Sequence, residues 1–278
     1  MLAALLALAA SFSWGVSNFT AGIESRRRSV WTVVAVSQAA SALSAALLLP
    51  FAGGEALTAG HAVWAVIGGI CGATGLVAYY RALALGAMSV VAPIIATQVL
   101  IPVTVGLALG ERPAAAAYVG MVLAVAGVAL VSRSGGSGRA HVPAAAILLA
   151  VLAAVVFGIM GVALDQSGSG SPLQSVFIVR LVSALVILVY FFASRRRFHM
   201  GARDLPALAS VGILLTVANV LLTVAFTLGP LSIISVLGSL SPAVIVVLAQ
   251  VVLRERLCAR QWAGVAAVFA GVVLLSFA

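Results

Sequence analysis

The chain has no lysine, six acidic residues, two cysteines and three histidines among 278 residues. Charged residues make up 8% of it, against roughly 25% in an ordinary soluble domain. So little charge cannot cover a surface facing water when 64% of the residues are hydrophobic. The apolar residues need a second apolar solvent, and the lipid bilayer supplies one. Cys71 and Cys258 lie far apart with no Cys-x-x-Cys spacing, which argues against a disulfide framework and a zinc site. His61, His141 and His199 fall in or beside loops and form no ligand cluster. No metal and no cofactor is expected.

The formal charge of +9 rests on arginine alone. A basic chain can be a nucleic-acid binder, but these arginines form no basic helix face and no tail. They sit in short loops between apolar runs, as charges that set membrane topology do.

A helical span needs about 20 apolar residues. Runs bounded by Gly, Pro or charge give ten spans, near 2–22, 30–51, 62–84, 87–109, 114–132, 143–163, 173–193, 205–228, 230–252 and 260–277. Proline and glycine inside them are tolerated in membrane helices. Ala7-Leu8-Ala9 resembles a signal-peptide cleavage site, but the first run lacks a positive n-region and has a counterpart in the second half. It therefore reads as a span.

The chain repeats itself. Gly86, Ser89, Val90 and Val91 recur as Gly229, Ser232, Ile233 and Ile234, an offset of 143. Glu111-Arg112, Gly120 and Gly127 recur as Glu255-Arg256, Gly264 and Gly271, an offset of 144. Trp14-Gly15 recurs as Phe157-Gly158, and Ser41-Ala42-Leu43 as Ser183-Ala184-Leu185. The common offset makes the matches meaningful. The expected organisation is an all-α integral membrane protein of ten transmembrane helices in two five-helix repeats, 1–132 and 143–278, joined by a linker at 133–142. An odd number of helices per half forces the halves into opposite orientations, the inverted-repeat plan of many secondary transporters.

Arginine counting sets the orientation. Thirteen arginines (26, 27, 28, 81, 133, 139, 195, 196, 197, 203, 254, 256 and 260) fall on one side, Arg112 alone on the other, and Arg180 within a span. The arginine-rich side is expected to be cytoplasmic, with both termini extracytoplasmic and the chain in the cell membrane.

Ser13-Trp14-Gly15-Val16-Ser17-Asn18-Phe19 resembles the opening of EamA-type transporters of the drug/metabolite transporter superfamily. Leu109-Gly110-Glu111-Arg112 and Leu253-Arg254-Glu255-Arg256-Leu257 resemble that family's "LGER" signature, each followed by a Gly-rich helix. The second copy has Arg254 where glycine is usual. The resemblance spans the chain and implies a five-plus-five inverted-repeat bundle, with a central cavity, that moves small metabolites, amino acids or drugs without ATP.

The polar residues inside the spans are the candidate site. Arg180 lies on the order of 10 Å inside the seventh span. A cation there costs about 2.5–3.5 kcal/mol on insertion scales and so faces protein or a cavity, or snorkels to the interface. Its repeat partner is Ser37 or Gln38. Gln98 and Ser241 are related by the 143 offset and lie beside prolines. They are read as cavity lining, with interhelical packing as the alternative. Asn219, Asn18 and Trp14 complete the substrate-binding candidates. Tyr79, Tyr80 and Arg81 read by default as an interfacial belt with a snorkelling arginine, and otherwise as a gate. Glu111 and Glu255 are expected to pair with neighbouring arginines or to terminate helices. The run Gly68-Gly69-Ile70-Cys71-Gly72-Ala73-Thr74-Gly75 is a close-packing signal.

The expected function is secondary transport of a small organic solute, an amino acid, organic acid or related metabolite, by alternating access. The expected partners are that solute and the bilayer, with no nucleic acid; a homodimer is left open. The alternative is a membrane-embedded lipid-modifying enzyme, but the chain shows no cluster for its chemistry, so no catalytic residue is assigned.

Overall fold

The computed structural model describes residues 2–53, 57–101, 105, 115–132, 142–168, 171–193, 201, 204–228 and 240–275. Among these, all regular structure is helical. In chain order the α-helices are α1 (Leu2–Arg27), α2 (Val30–Leu48), α3 (Ala59–Leu85), α4 (Met88–Ala96), α5 (Ala115–Ser132), α6 (Ala144–Gly168), α7 (Pro172–Ala193), α8 (Leu205–Leu228), α9 (Ser241–Val252) and α10 (Ala259–Leu275). Single 3-10 turns at Leu49–Phe51 and Thr97–Val99 follow α2 and α4. Six helical stretches, in α1, α2, α3, α6, α7 and α8, are long and apolar enough to cross a membrane. The described chain is that of a multi-pass membrane protein.

Helix ends depart from the apolar runs for identifiable reasons. α1 continues a turn past its apolar run because Arg26 and Arg27 occupy its last turn, where cations favour the negative end of the helix dipole. Glu24 and Arg28, four residues apart, close that end with an Nε–Oε2 distance of 2.9 Å. α3 starts earlier than its run because Thr58 caps it, accepting from His61 N at 3.4 Å. The run expected over 87–109 is α-helical from Met88 to Ala96, passes through a 3-10 turn at Thr97–Val99, and is α-helical again at Leu100, Ile101 and Val105 among the described residues. Pro93 lies inside that helix and contributes no N–H to its ladder. Residues 102–104, 106–114, 133–141 and 229–239 lie outside the described residues, and with them Glu111, Arg112 and most of the expected linker.

The helices pack as a bundle. α1 lies against α8 and α9, α2 against α7 and α8, α3 against α6 and α7, α4 against α6 and α9, and α5 against α10. The apolar core runs through Tyr80, Leu83, Met88, Ile94, Phe191, Leu208 and Ile245. Large apolar side chains also point outward, among them Leu43, Leu47, Leu148, Phe192 and Val251. In water that surface would be a liability; in lipid it is solvated.

Glycine brings the helices together. A Cβ added at Gly69 of α3 would lie 2.6 Å from the Val182 Cβ and 2.9 Å from the Val179 oxygen of α7. At Gly75 it would lie 2.5 Å from the Phe157 ring of α6. The small-residue run is thus the face on which α3 meets α6 and α7. Gly127 on α5 approaches the Gly264 carbonyl of α10 in the same way, at 2.7 Å.

Candidate functional site

The approach of α3 to α7 carries the next turn of α3 into the interior. Tyr79 and Tyr80 follow Gly75 by about a turn, and both are buried, at 2% and 0% exposure. Tyr79 meets the Phe157 ring edge-on with centroids 6.1 Å apart. The interfacial-belt reading therefore fails for the two tyrosines, which face protein because the glycine surface below them lets the helices close. Arg81, the next residue, turns outward and is exposed.

Arg180 of α7 follows Val179, whose carbonyl meets Gly69. It is 5% exposed, so it does not snorkel to the interface. Its charge interacts with Tyr80 across the α3–α7 contact. Among the described residues no carboxylate forms an ion pair with it. The Arg180 Nε and the Tyr80 hydroxyl each lack a hydrogen-bond partner among the described residues. Two neighbouring buried groups thus keep open hydrogen-bonding capacity, which normally goes to a ligand, a water or a side chain.

A polar seam runs beside this pair where α2, α7 and α8 meet. Ser37, Gln38 and Ser41 of α2 are fully buried. Gln38 Nε2 donates to Ser183 Oγ on α7. The Ser41 and Thr216 hydroxyls share a hydrogen bond of 2.9 Å, and Thr216 also donates to the Ser41 carbonyl at 3.0 Å. Gly212 makes the contact possible, since a Cβ there would clash with the Ser37 carbonyl. The Gln38 Oε1 has no partner among the described residues. The repeat partner of Arg180 is Ser37 or Gln38, and both lie in this seam, so the seam and the arginine are two versions of one polar position. Reading single polar residues missed Ser41, Ser183 and Thr216, because a lone Ser or Thr in an apolar run gives no signal. The recurring Ser-Ala-Leu triplet marks Ser41 and Ser183; nothing in the sequence marks Thr216.

The other candidates occupy different places. Gln98 lies in the 3-10 turn after α4, and its carbonyl oxygen would be 2.6 Å from a Cβ at Gly158 of α6. Ser241 opens α9, and its carbonyl would be 3.1 Å from a Cβ at Gly15 of α1. Their backbones therefore sit at equivalent helix crossings. Asn18 and Asn219 each keep one amide atom, Oδ1 and Nδ2, without a partner among the described residues. They lie on α1 and α8, which are joined by Ser17 Oγ donating to the Val211 carbonyl at 2.8 Å. Trp14 is half-buried against the core.

A lateral groove of about 360 Å³ opens between α2, α7 and α8, lined by Ala35, Val36, Ala39, Ala40, Leu43, Leu188, Leu205 and Ala209. It offers a polar solute nothing to bind. Among the described residues no three His, Cys, Asp or Glu side chains converge as metal ligands.

Glu255 does not pair with its sequence neighbours as expected. Its carboxylate accepts from Met88 N at 3.1 Å, Ser89 N at 2.9 Å and Ser89 Oγ at 2.7 Å, and pairs with Arg26 at 3.3 Å. It caps the start of another helix, α4, where exposed N–H groups and the helix dipole favour an anion.

The model of the EamA-like transporter family matches residues 1–133 and again residues 144–277. An uncharacterised protein of Methanocaldococcus jannaschii is 27% identical over 131 residues, which is 47% of this chain and 96% of that protein. One chain of known crystal structure superposes with a TM-score of 0.66 at 21% identity, covering 98% of this chain and 95% of its own. That likeness concerns the fold.

Proposed function

The chain belongs to the EamA-like transporter family, and from that premise we propose that it is a secondary transporter of a small organic solute bearing an acidic group. It works by alternating access between two inverted five-helix halves, 1–132 and 143–278 joined through 133–142, around a midplane site. The two-halves reading is supported by the doubled family match and by a relative that is half as long. The packing supports it as well. Exchanging the halves turns the α1–α8 contact into α6–α3, α2–α8 into α7–α3, and α1–α9 into α6–α4. In this reading the arginine-rich face is cytoplasmic and both termini are outside.

The observation that carries the substrate class is Arg180, buried at 5% exposure, whose Nε has no hydrogen-bond partner among the described residues, together with Tyr80, with which its charge interacts and whose hydroxyl has none there either. A guanidinium matches a carboxylate or phosphate in a two-point fork. In a low-dielectric site, unbalanced positive charge favours an anionic group and repels a cation. The test is uptake and counterflow in proteoliposomes against amino acids, organic acids and a lipophilic cation. Saturable flux of an acidic solute above protein-free liposomes is expected. Flux of the cation with none of any acid would sink the substrate class, and no flux of any solute would count against transport itself.

A further inference from the structure

At the arginine-rich end of the bundle, two ion-pair links join α1 to the second half of the chain. The first is built on Arg26. Its Nε donates to the Leu83 carbonyl at 3.0 Å and its Nη2 to the Gly86 carbonyl at 2.5 Å, where α3 ends. The same Nη2 meets Glu255, which caps α4. Arg26 thus neutralises the negative end of α3 while Glu255 neutralises the positive end of α4. The second link is built on Arg28, whose Nη1 lies 2.6 Å from Asp204 Oδ2 at the start of α8 and whose Nε meets Glu24. Asp204 is further held by Gly201 N at 2.9 Å. Arg27, between the two arginines, is 68% exposed on its side chain and reaches Glu24 only at 3.9 Å.

The opposite end is composed differently. By chain order it receives Glu55, Glu111 and Asp165 with a single arginine, Arg112. Glu111 is the repeat partner of Glu255, and Ser232 that of Ser89. The positions matching Arg26 and Arg28 fall within Gly168-Ser169-Gly170-Ser171. The repeat thus keeps the acid and the capped serine but drops the arginines.

We propose that Arg26–Glu255 and Arg28–Asp204 form a two-part latch that closes the arginine-rich face and must open whenever that face opens, built on arginines that the repeat-related segment 168–171 does not carry. The inference rests on the alternating-access reading. All four residues are partly solvent-accessible, with side-chain exposures of 31%, 11%, 19% and 28%. Water replaces such partners readily, so the links suit a contact that is made and broken. Each also spans the boundary between the halves, where rocking would separate them. With both links made, the chain rests shut on the arginine-rich side.

The test needs no known solute. In a chain with Cys71→Ala and Cys258→Ala, a single reporter, Ala92→Cys, is placed in α4 just beyond Ser89, where the native alanine is fully buried. A membrane-impermeant maleimide is then added from the arginine-rich face. Labelling is expected to be slow in the parent and about tenfold faster with Arg26→Gln plus Arg28→Gln, or with Glu255→Gln, as the population shifts toward an open face. Arg27→Gln removes an arginine outside the latch and should leave the rate unchanged. Ala163→Cys, buried against Gly68 of α3, reports general loosening and should stay slow throughout. An unchanged rate at Ala92→Cys, an equal rise with Arg27→Gln, or a parallel rise at Ala163→Cys would each overturn the latch. A chain that shows the latch effect but moves no solute would instead fail the transport reading alone.

Discussion

A methyl group added at Gly158 would lie 2.6 Å from the Gln98 carbonyl oxygen, and a second pair, Gly15 and the Ser241 carbonyl, repeats the contact at 3.1 Å. Both members are shifted by 143 residues. The neighbouring side chains follow: Ile101 packs on Gly158 and Val244 on Gly15, each with a Cβ-to-Cβ approach of 2.5 Å for the added methyl. Gly158→Ala and Gly15→Ala should therefore both destabilise the protein, by about 1–3 kcal/mol of overpacking each. Gly60→Ala is the contrast, since a Cβ there meets only Thr58 Oγ1 at 3.9 Å. It should stabilise by up to about 1 kcal/mol through helix propensity. Thermal midpoints in detergent read all three. Unchanged midpoints at both interior glycines would contradict the close crossings.

Arg254 is the position where the second signature departs from glycine, and its φ is +54°. It follows the end of α9, where Leu253 N and Glu255 N both donate to the Ala249 carbonyl, at 3.1 Å each. This left-handed helix ending is one that glycine adopts without a Cβ penalty. The turn also aims Glu255 at α4. Arg254→Gly should raise the thermal midpoint, by roughly 1 kcal/mol of relieved backbone strain. A fall in the midpoint would mean that the Arg254 side chain contributes more than its backbone costs.

Six of the expected spans, those of α1, α2, α3, α6, α7 and α8, were legible because apolar run length is a direct consequence of bilayer thickness. The α3 packing face was legible because four glycines at helical spacing have few other uses in a membrane. What was not legible depended on contacts between distant segments. Nothing near Glu255 in sequence names Arg26 or Ser89 as its partners. Tyr79 and Tyr80 have the composition of an interfacial belt, and only the approach of α3 to α6 and α7 buries them. Gln98 and Ser241 were paired by offset, but the offset says nothing about the glycine crossings that their backbones form.

Asp204 gives a pH-dependent test outside the membrane. The Gly201 N–H holds its carboxyl below the ordinary value of 3.8; burial pushes back upward, and the ion pair with Arg28 adds to the lowering. A carboxyl depressed by folding contributes stability above its unfolded pKa and loses it as pH falls through the folded value. The gap in thermal midpoint between the parent and Asp204→Asn should therefore be full near about pH 7 and shrink below 3.8. A gap that widens on acidification would contradict the depressed carboxyl.

Topology has its own measurement. Thirteen arginines against one are expected to hold both termini outside and the 133–142 linker inside. With the native cysteines removed, a cysteine at Ser276 should react with an impermeant maleimide on intact cells. One at Ser137 should react only after lysis. The reverse pattern would invert the assignment of both faces.

Arg180 decides the substrate question. Its guanidinium is buried with no carboxylate partner among the described residues, and its Nε lacks a hydrogen bond there. A cation so placed costs about 2.5–3.5 kcal/mol at a helix centre, so a purely packing role would be better filled by an uncharged polar residue, as Ser37 and Gln38 at the repeat-related position are. If the fork recognises an acidic group, Arg180→Gln loses the charge and Arg180→Lys keeps it but loses the two-point geometry. Both should impair flux of the acidic solute in proteoliposomes, the glutamine variant more. A lost charge-assisted hydrogen bond of about 1.5–3 kcal/mol corresponds to a roughly 10- to 100-fold weaker apparent affinity. Tyr80→Phe removes the neighbouring hydroxyl without changing ring packing and should weaken affinity less. Thermal stability separates the alternatives, since a packing residue would move the midpoint and a binding residue the affinity. Equal flux in the parent and Arg180→Gln at matched protein levels would confine Arg180 to the helix interface and leave the acidic-solute reading without its anchor.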